Sequence, residues 1–176
     1  MMLRPLLSVL ILPFNVIIII PTIMYARCGR KPALRLFKPA WLTITRTAGI
    51  LLMTIGLPLM FFTIRDFAKI GQGTLAPWDP TRKLVVTGPY RYVRNPMISG
   101  VICLLFGITL VANTICHLAW ATAFTLINVI YTPLSEEPSL VKRFGNDYQL
   151  YKQHVPRWLP RLTPWEQPDA VHSQEQ

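Results

Sequence analysis

Acidic residues are scarce in this chain of 176: Asp and Glu together number eight, against eighteen Lys and Arg, and charged residues of both signs make up only 15%. So little charge, beside 52% hydrophobic residues and a mean hydropathy of +0.37, excludes an ordinary soluble domain. It fits one membrane unit with no separate large soluble domain. The formal charge of +10 does not point to nucleic acid, because the basic residues cluster beside apolar runs, as in a protein held at an anionic leaflet. Cysteine is nearly absent too. Cys28 lies in a basic loop, Cys103 and Cys116 fall in or beside apolar runs, and without CxxC spacing or a pairing scheme all three read as isolated small hydrophobes. The histidines His117, His154 and His172 are too scattered to build a metal site, so no metal is expected.

What the chain has is apolar length. Residues 3–25 form a first run, interrupted by Pro13 and Pro21 and long enough to cross a bilayer. It is too long for a cleaved signal peptide and lacks a small-residue cleavage site, so it reads as a retained span. A basic loop follows, with Arg27, Arg30, Lys31, Arg35 and Lys38, and Trp41 marks the next interface. The second span, 42–64, contains Pro58 and Arg46, the latter near enough to the end to snorkel toward headgroups. Between Arg65 and Arg94 the chain is polar and irregular. Gly71 and Gly73 lack the βαβ surroundings of a dinucleotide fingerprint and read as a turn, and 84–86 as a short extended piece.

Two further runs, 97–112 and 115–134, are separated only by Asn113 and Thr114. So short a connection makes antiparallel neighbours, and the hairpin returns Thr132 to Glu136 opposite Tyr90, Arg91, Arg94 and Asn95. Pro96 begins the third helix where its missing N–H costs nothing. Glu136 and Glu137 read either as headgroup-exposed charges before a new helix at Pro138, or as the acidic half of a ligand site facing the arginines and Tyr90. Leu140, Phe144, Tyr148, Tyr151 and Val155 recur at helical spacing, which predicts an amphipathic interfacial helix over 139–155. Trp158 and Trp165 then seek the headgroup zone among prolines that could cap the site.

The expected architecture is all-α: a helical membrane bundle of about four transmembrane helices in one domain, 1–165, with a polar tail, 166–176, expected to be disordered. Four spans place twelve Lys/Arg on the side of the central loop against five in the Arg27 to Lys38 loop, which argues for a cytoplasmic site.

Taken together, GPYRYVRNPMISG and EEPSLVKRFGNDYQLYKQHVP resemble the paired motifs of the isoprenylcysteine carboxyl methyltransferase and phospholipid methyltransferase superfamily of integral membrane enzymes. The likeness runs from about Gly71 to Pro160. It implies S-adenosylmethionine as methyl donor, with donor-binding backbone at Arg82, Lys83, Leu84 and Val85 and an aromatic contact at Tyr90. The family's RHPxY element falls on Arg94, Asn95, Pro96, Met97 and Ile98, and its donor-binding glutamate on Glu136, with Glu137 beside it. Glu136, Arg94 and Asn95 are the residues expected to carry the chemistry. Asn95 stands in place of the usual His and cannot act as a base near neutral pH; Ile98 replaces Tyr. Thr132 stands where the prenylcysteine enzymes place an Arg for the acceptor carboxylate. The implied acceptor is a membrane-soluble or small amphiphilic carboxylate, amine or thiol. Two alternatives carry other functions: an NADPH-dependent lipid or steroid-type reductase of similar C-terminal pattern, and a non-catalytic lipid-binding or scaffold protein.

Overall fold

A computed structural model describes residues 13–29, 31–70 (backbone only over 67–70) and 84–166; the expectations for 71–80, Arg82, Lys83 and the tail beyond 166 lie outside the described residues. Every regular element among them is helical. Helix α1 spans Asn15–Cys28 and opens with a π-helical stretch, Asn15–Ile19. Helix α2 spans Leu42–Ile70 and carries Pro58 inside it. Helices α3, Pro96–Ala112, and α4, Ile115–Tyr131, form the expected hairpin. Two helical stretches, Pro39–Asp66 and Ile115–His154, are long and apolar enough to cross a membrane; α1 and α3 are shorter apolar helices.

The hairpin closes because Asn113 adopts the left-handed conformation, φ 53° and ψ 47°, which asparagine tolerates better than most residues. Its side chain also ties the preceding loop to the hairpin tip: Oδ1 accepts from Phe37 N at 2.8 Å and Nδ2 donates to Phe37 O at 3.1 Å. At the same end Cys28 and Cys116 form a disulfide, their Cα atoms 6.5 Å apart. This corrects the reading of both as isolated hydrophobes. Their sequence separation of 88 conceals a pairing that only the helix arrangement reveals. Cys103 remains a free thiol.

Helices α2 and α3 pack antiparallel through two reciprocal glycine pairs. A Cβ on Gly49 would lie 2.7 Å from Gly107 O, and one on Gly56 2.7 Å from Gly100 O. Backbones approach this closely only where both residues are small, and in an apolar medium such van der Waals contact replaces the hydrophobic drive. Helix α1 is held by polar groups of α4. Trp120 Nε1 donates to Val16 O and His117 Nε2 to Pro21 O, each at 3.1 Å, while Thr114 Oγ1 bonds His117 Nδ1. The π stretch disturbs the ordinary pairing of α1 carbonyls, and Trp120 gives one of them a donor where water is absent.

The expected gap between the fourth span and an interfacial helix does not occur. A π-helical segment, Thr132–Glu136, joins α4 directly to α5, Glu137–His154. Pro133 and Pro138 each remove an N–H, and the π-helical register at Thr132–Glu136 lets the chain pass both without breaking the helix. Within α5, Gly145 breaks the helical dihedrals at φ 54° and ψ −129°. A residue with a Cβ is strained there although nothing lies within 4 Å.

Candidate active site

Leu84, Val85, Tyr90, Arg94, Asn95, Met97, Ile98 and Glu136 line one cavity of about 110 Å³, together with Leu140, Phe144, Tyr148 and Tyr151 of α5. Three segments, two adjacent in sequence and the third beyond the hairpin, thus share one end of the bundle. The first is set by the 3-10 turn Gly88–Arg91, where Gly88 has φ 53° and a Cβ would collide with Asp66 Oδ2. That close approach fixes the turn against the end of α2 and presents Tyr90, which is buried and whose backbone oxygen accepts from Tyr151 Oη at 2.7 Å. The second is the start of α3: Asn95 is its N-cap residue, Pro96 follows at the first position, and the Asn95 side chain makes no cap hydrogen bond. The third is the π segment, which carries Glu136.

The two glutamates have different surroundings. Glu137 is 2% exposed and is surrounded by three cations. Arg157 grips it bidentately, Nε to Oε1 at 2.6 Å and Nη2 to Oε2 at 2.9 Å; Arg94 Nη1 donates to Oε1 at 2.8 Å and Lys152 Nζ lies 3.1 Å from Oε2. Burial alone would raise its pKa, but hydrogen bonds from Arg157 and Lys152 and the charge of Arg94 outweigh this and hold the carboxyl below its usual range. Glu136 accepts from Thr132 Oγ1 at 3.3 Å. Burial pushes its carboxyl above the usual range against the pull of that hydroxyl, with the neighbouring Glu137 charge adding to the rise. Glu136 therefore faces the cavity, while Glu137 holds Arg94 in place behind it. Burial also raises the phenols of Tyr90 and Tyr151, and that of Tyr148 to about 12, so all three are neutral hydrogen-bonding groups at physiological pH.

Among the described residues Arg94 is the cation of the cavity. Its side chain is 8% exposed and its Nε is buried with no hydrogen-bond partner among the described residues. An unsatisfied guanidinium donor costs free energy unless an acceptor meets it, so this atom suits an anionic ligand group. Arg91, expected beside it, turns away: its Nε donates to Trp165 O and its Nη2 pairs with Glu166. Trp165 is likewise buried against Tyr151 and His154 and does not seek a headgroup zone. Backbone bonds from Arg94 N to Pro156 O, Arg161 N to Tyr92 O and Trp165 N to Arg91 O strap residues 156–165 along residues 91–94. This strap consumes Arg91. Of the other residues named from the sequence, Pro96 is buried and Glu137 ion-paired, and neither lines the cavity. Arg157 and the wall formed by α5 were not anticipated. The spacing of Leu140, Phe144, Tyr148 and Tyr151 was legible, but it suited a lipid-facing stripe equally well.

A helical bundle of apolar helices with a cavity built from these two motifs defines a class. The sequence profile of the phospholipid methyltransferase family matches residues 44–147, more than half of the chain, and the chain belongs to that family. Among characterised proteins it is 34% identical over 85 residues to phosphatidylethanolamine N-methyltransferase 1 of Vanderwaltozyma polyspora. The alignment covers 47% of this chain but only 10% of that relative, so the chain spans about a tenth of the relative's length.

Proposed function

We propose that this chain transfers a methyl group from S-adenosylmethionine to a lipid-borne nucleophile, an amine of a lipid headgroup being the acceptor the relative's name favours. The observation that carries the reading is that Glu136 and Arg94 line one cavity, with the Nε of Arg94 buried and without a partner among the described residues. A zwitterionic amino-acid group needs both signs at close quarters. Glu136 would hold the ammonium of the donor and Arg94 its carboxylate. The cavity matches that end of the donor in size and polarity, while Tyr90, Met97, Ile98 and Phe144 give walls that exclude water.

The donor, when bound, supplies an electrophilic methyl on a sulfonium. The protein's part is to orient the acceptor in line with it and to keep the site dry, which concentrates the reactants and strengthens every charge interaction. The Asn95 side chain, which makes no cap hydrogen bond to α3, is able to donate or accept one to a ligand but takes no proton near neutral pH. The acceptor therefore has to arrive as a free amine. Thr132 in place of an Arg removes the cation that would select a carboxylate acceptor, and this supports an amine over a prenylcysteine.

The same reading includes four spans with the site on the cytoplasmic side. The disulfide at the opposite end supports this orientation, since such bonds persist on the oxidising side of a membrane. The test is methyl transfer from labelled donor by the protein reconstituted in vesicles. Label in the lipid fraction with phosphatidylethanolamine vesicles, and none with phosphatidylcholine alone, is expected. Label only in an added prenylcysteine, or consumption of NADPH without methylation, would replace the reading.

A further inference from the structure

At the disulfide end, α1, α2, α3 and α4 surround a second cavity of about 480 Å³ in which Thr22, Tyr25, Arg46 and His117 stand among apolar side chains. It shares Ile17 and Ile18 with a neighbouring cavity of about 330 Å³ lined wholly by apolar residues, Leu57, Met60 and Leu104 among them. The two form one path along α1, polar at one end and apolar at the other. That is the outline of an amphiphile.

Arg46 makes no ion pair or hydrogen bond among the described residues, and it lies five positions after the exposed Trp41. At 1.5 Å per residue its Cα is about 7 Å below the interface marked by the indole, close enough for the extended side chain to carry the guanidinium up to the lipid phosphates. Among the described residues no carboxylate pairs with it, and all eight Asp and Glu of the sequence fall at Asp66 or later, whereas Arg27, Arg30, Lys31, Arg35, Lys38 and Arg46 precede it. His117 does not compete for an anion, because both ring nitrogens are engaged by Thr114 and Pro21. A guanidinium inside a span with no protein counter-charge requires one from outside.

We infer that this end of the bundle binds one anionic phospholipid of the surrounding leaflet, its phosphate against Arg46 and an acyl chain along Ile17 and Ile18 into the apolar cavity. The phosphate end of this site is far from the candidate active site, since Arg46 and Asp66 are twenty residues apart on α2, about 30 Å along the helix, and its two cavities share no lining residue with that site. It does not depend on the methyl-transfer reading.

The test is native mass spectrometry of the delipidated full chain in detergent, titrated with phosphatidylglycerol, phosphatidylcholine or inorganic phosphate. One phosphatidylglycerol should bind at least tenfold more tightly than phosphatidylcholine. Arg46→Leu should abolish that preference and Arg46→Lys should largely retain it. Ile18→Trp, which obstructs the junction of the two cavities while leaving Arg46 intact, should weaken phosphatidylglycerol binding severalfold. Equal binding of the two lipids, or an Arg46→Leu protein that keeps the preference, overturns the inference. Inorganic phosphate binding as tightly as the lipid overturns the acyl-chain half of it, as does an Ile18→Trp protein that binds like wild type.

Discussion

Arg94 Nη1 donates to Glu137 Oε1 at 2.8 Å with both side chains almost wholly buried, so the one guanidinium that lines the candidate active site among the described residues is held by a carboxylate outside it. Glu137 is the anchor of the basic side of the cavity, and Arg157 and Lys152 keep that anchor ionised.

Glu137→Gln should therefore destabilise the protein. The amide keeps the shape but strands buried cations, and removing one partner of such a cluster costs about 3 kcal/mol. A thermal melt in detergent reads the loss. The pH dependence has a definite sign. Because the folded pKa of Glu137 is lowered from 4.5, its contribution is present above that value and is lost as pH falls below it through the folded pKa. Wild type should lose its advantage over Glu137→Gln on acidification, and an unchanged gap between them would count against the anchor role.

Thr132→Val removes the hydroxyl that bonds Glu136 Oε2. The carboxyl should then titrate at still higher pH, and donor affinity near neutral pH should fall roughly fivefold, the worth of one hydrogen bond of about 1 kcal/mol. Thr132→Ser should restore it. Calorimetry as a function of pH distinguishes this from simple damage, since only the loss of a positioning hydroxyl moves the pH midpoint upward.

Gly56→Leu should separate α2 from α3, because even a Cβ would press to 2.7 Å on the Gly100 carbonyl and the remaining side chain has nowhere to go. A loss of a few kcal/mol, read as a large fall in melting temperature, is expected. Gly145→Ala should cost less, about 1 kcal/mol, since the space is open and only the positive φ resists.

These contacts show which parts of the molecule were legible beforehand. Apolar runs and the two-residue connection at Asn113 and Thr114 dictated a hairpin, and the hairpin dictated that Arg94 and Glu136 meet. Local pattern could do this because each inference spans one loop. The partition of roles between Glu136 and Glu137 was not legible, for it depends on Arg157, twenty residues on, and on a π turn that carries the chain past Pro133 and Pro138 without a break. Nor was the disulfide, which joins helix ends 88 residues apart.

Reduction of the Cys28–Cys116 bond should lower the melting temperature, as should Cys28→Ser. Closing so long a loop restricts the unfolded chain by on the order of 4 kcal/mol in the chain-entropy view. The orientation has its own test. In a Cys116→Ser protein the thiol released at Cys28 should react with a membrane-impermeant reagent applied to intact cells, and labelling only after permeabilisation would reverse the orientation.

The most direct measurement is isothermal calorimetry of S-adenosylmethionine and S-adenosylhomocysteine with the detergent-purified chain and with Glu136→Gln. Saturable binding of both to wild type, weakened at least tenfold by Glu136→Gln through loss of a charge-assisted bond of about 1.5 to 3 kcal/mol, is the predicted result. Absence of binding, or a Glu136→Gln protein that binds as wild type does, would contradict a donor site between Glu136 and Arg94.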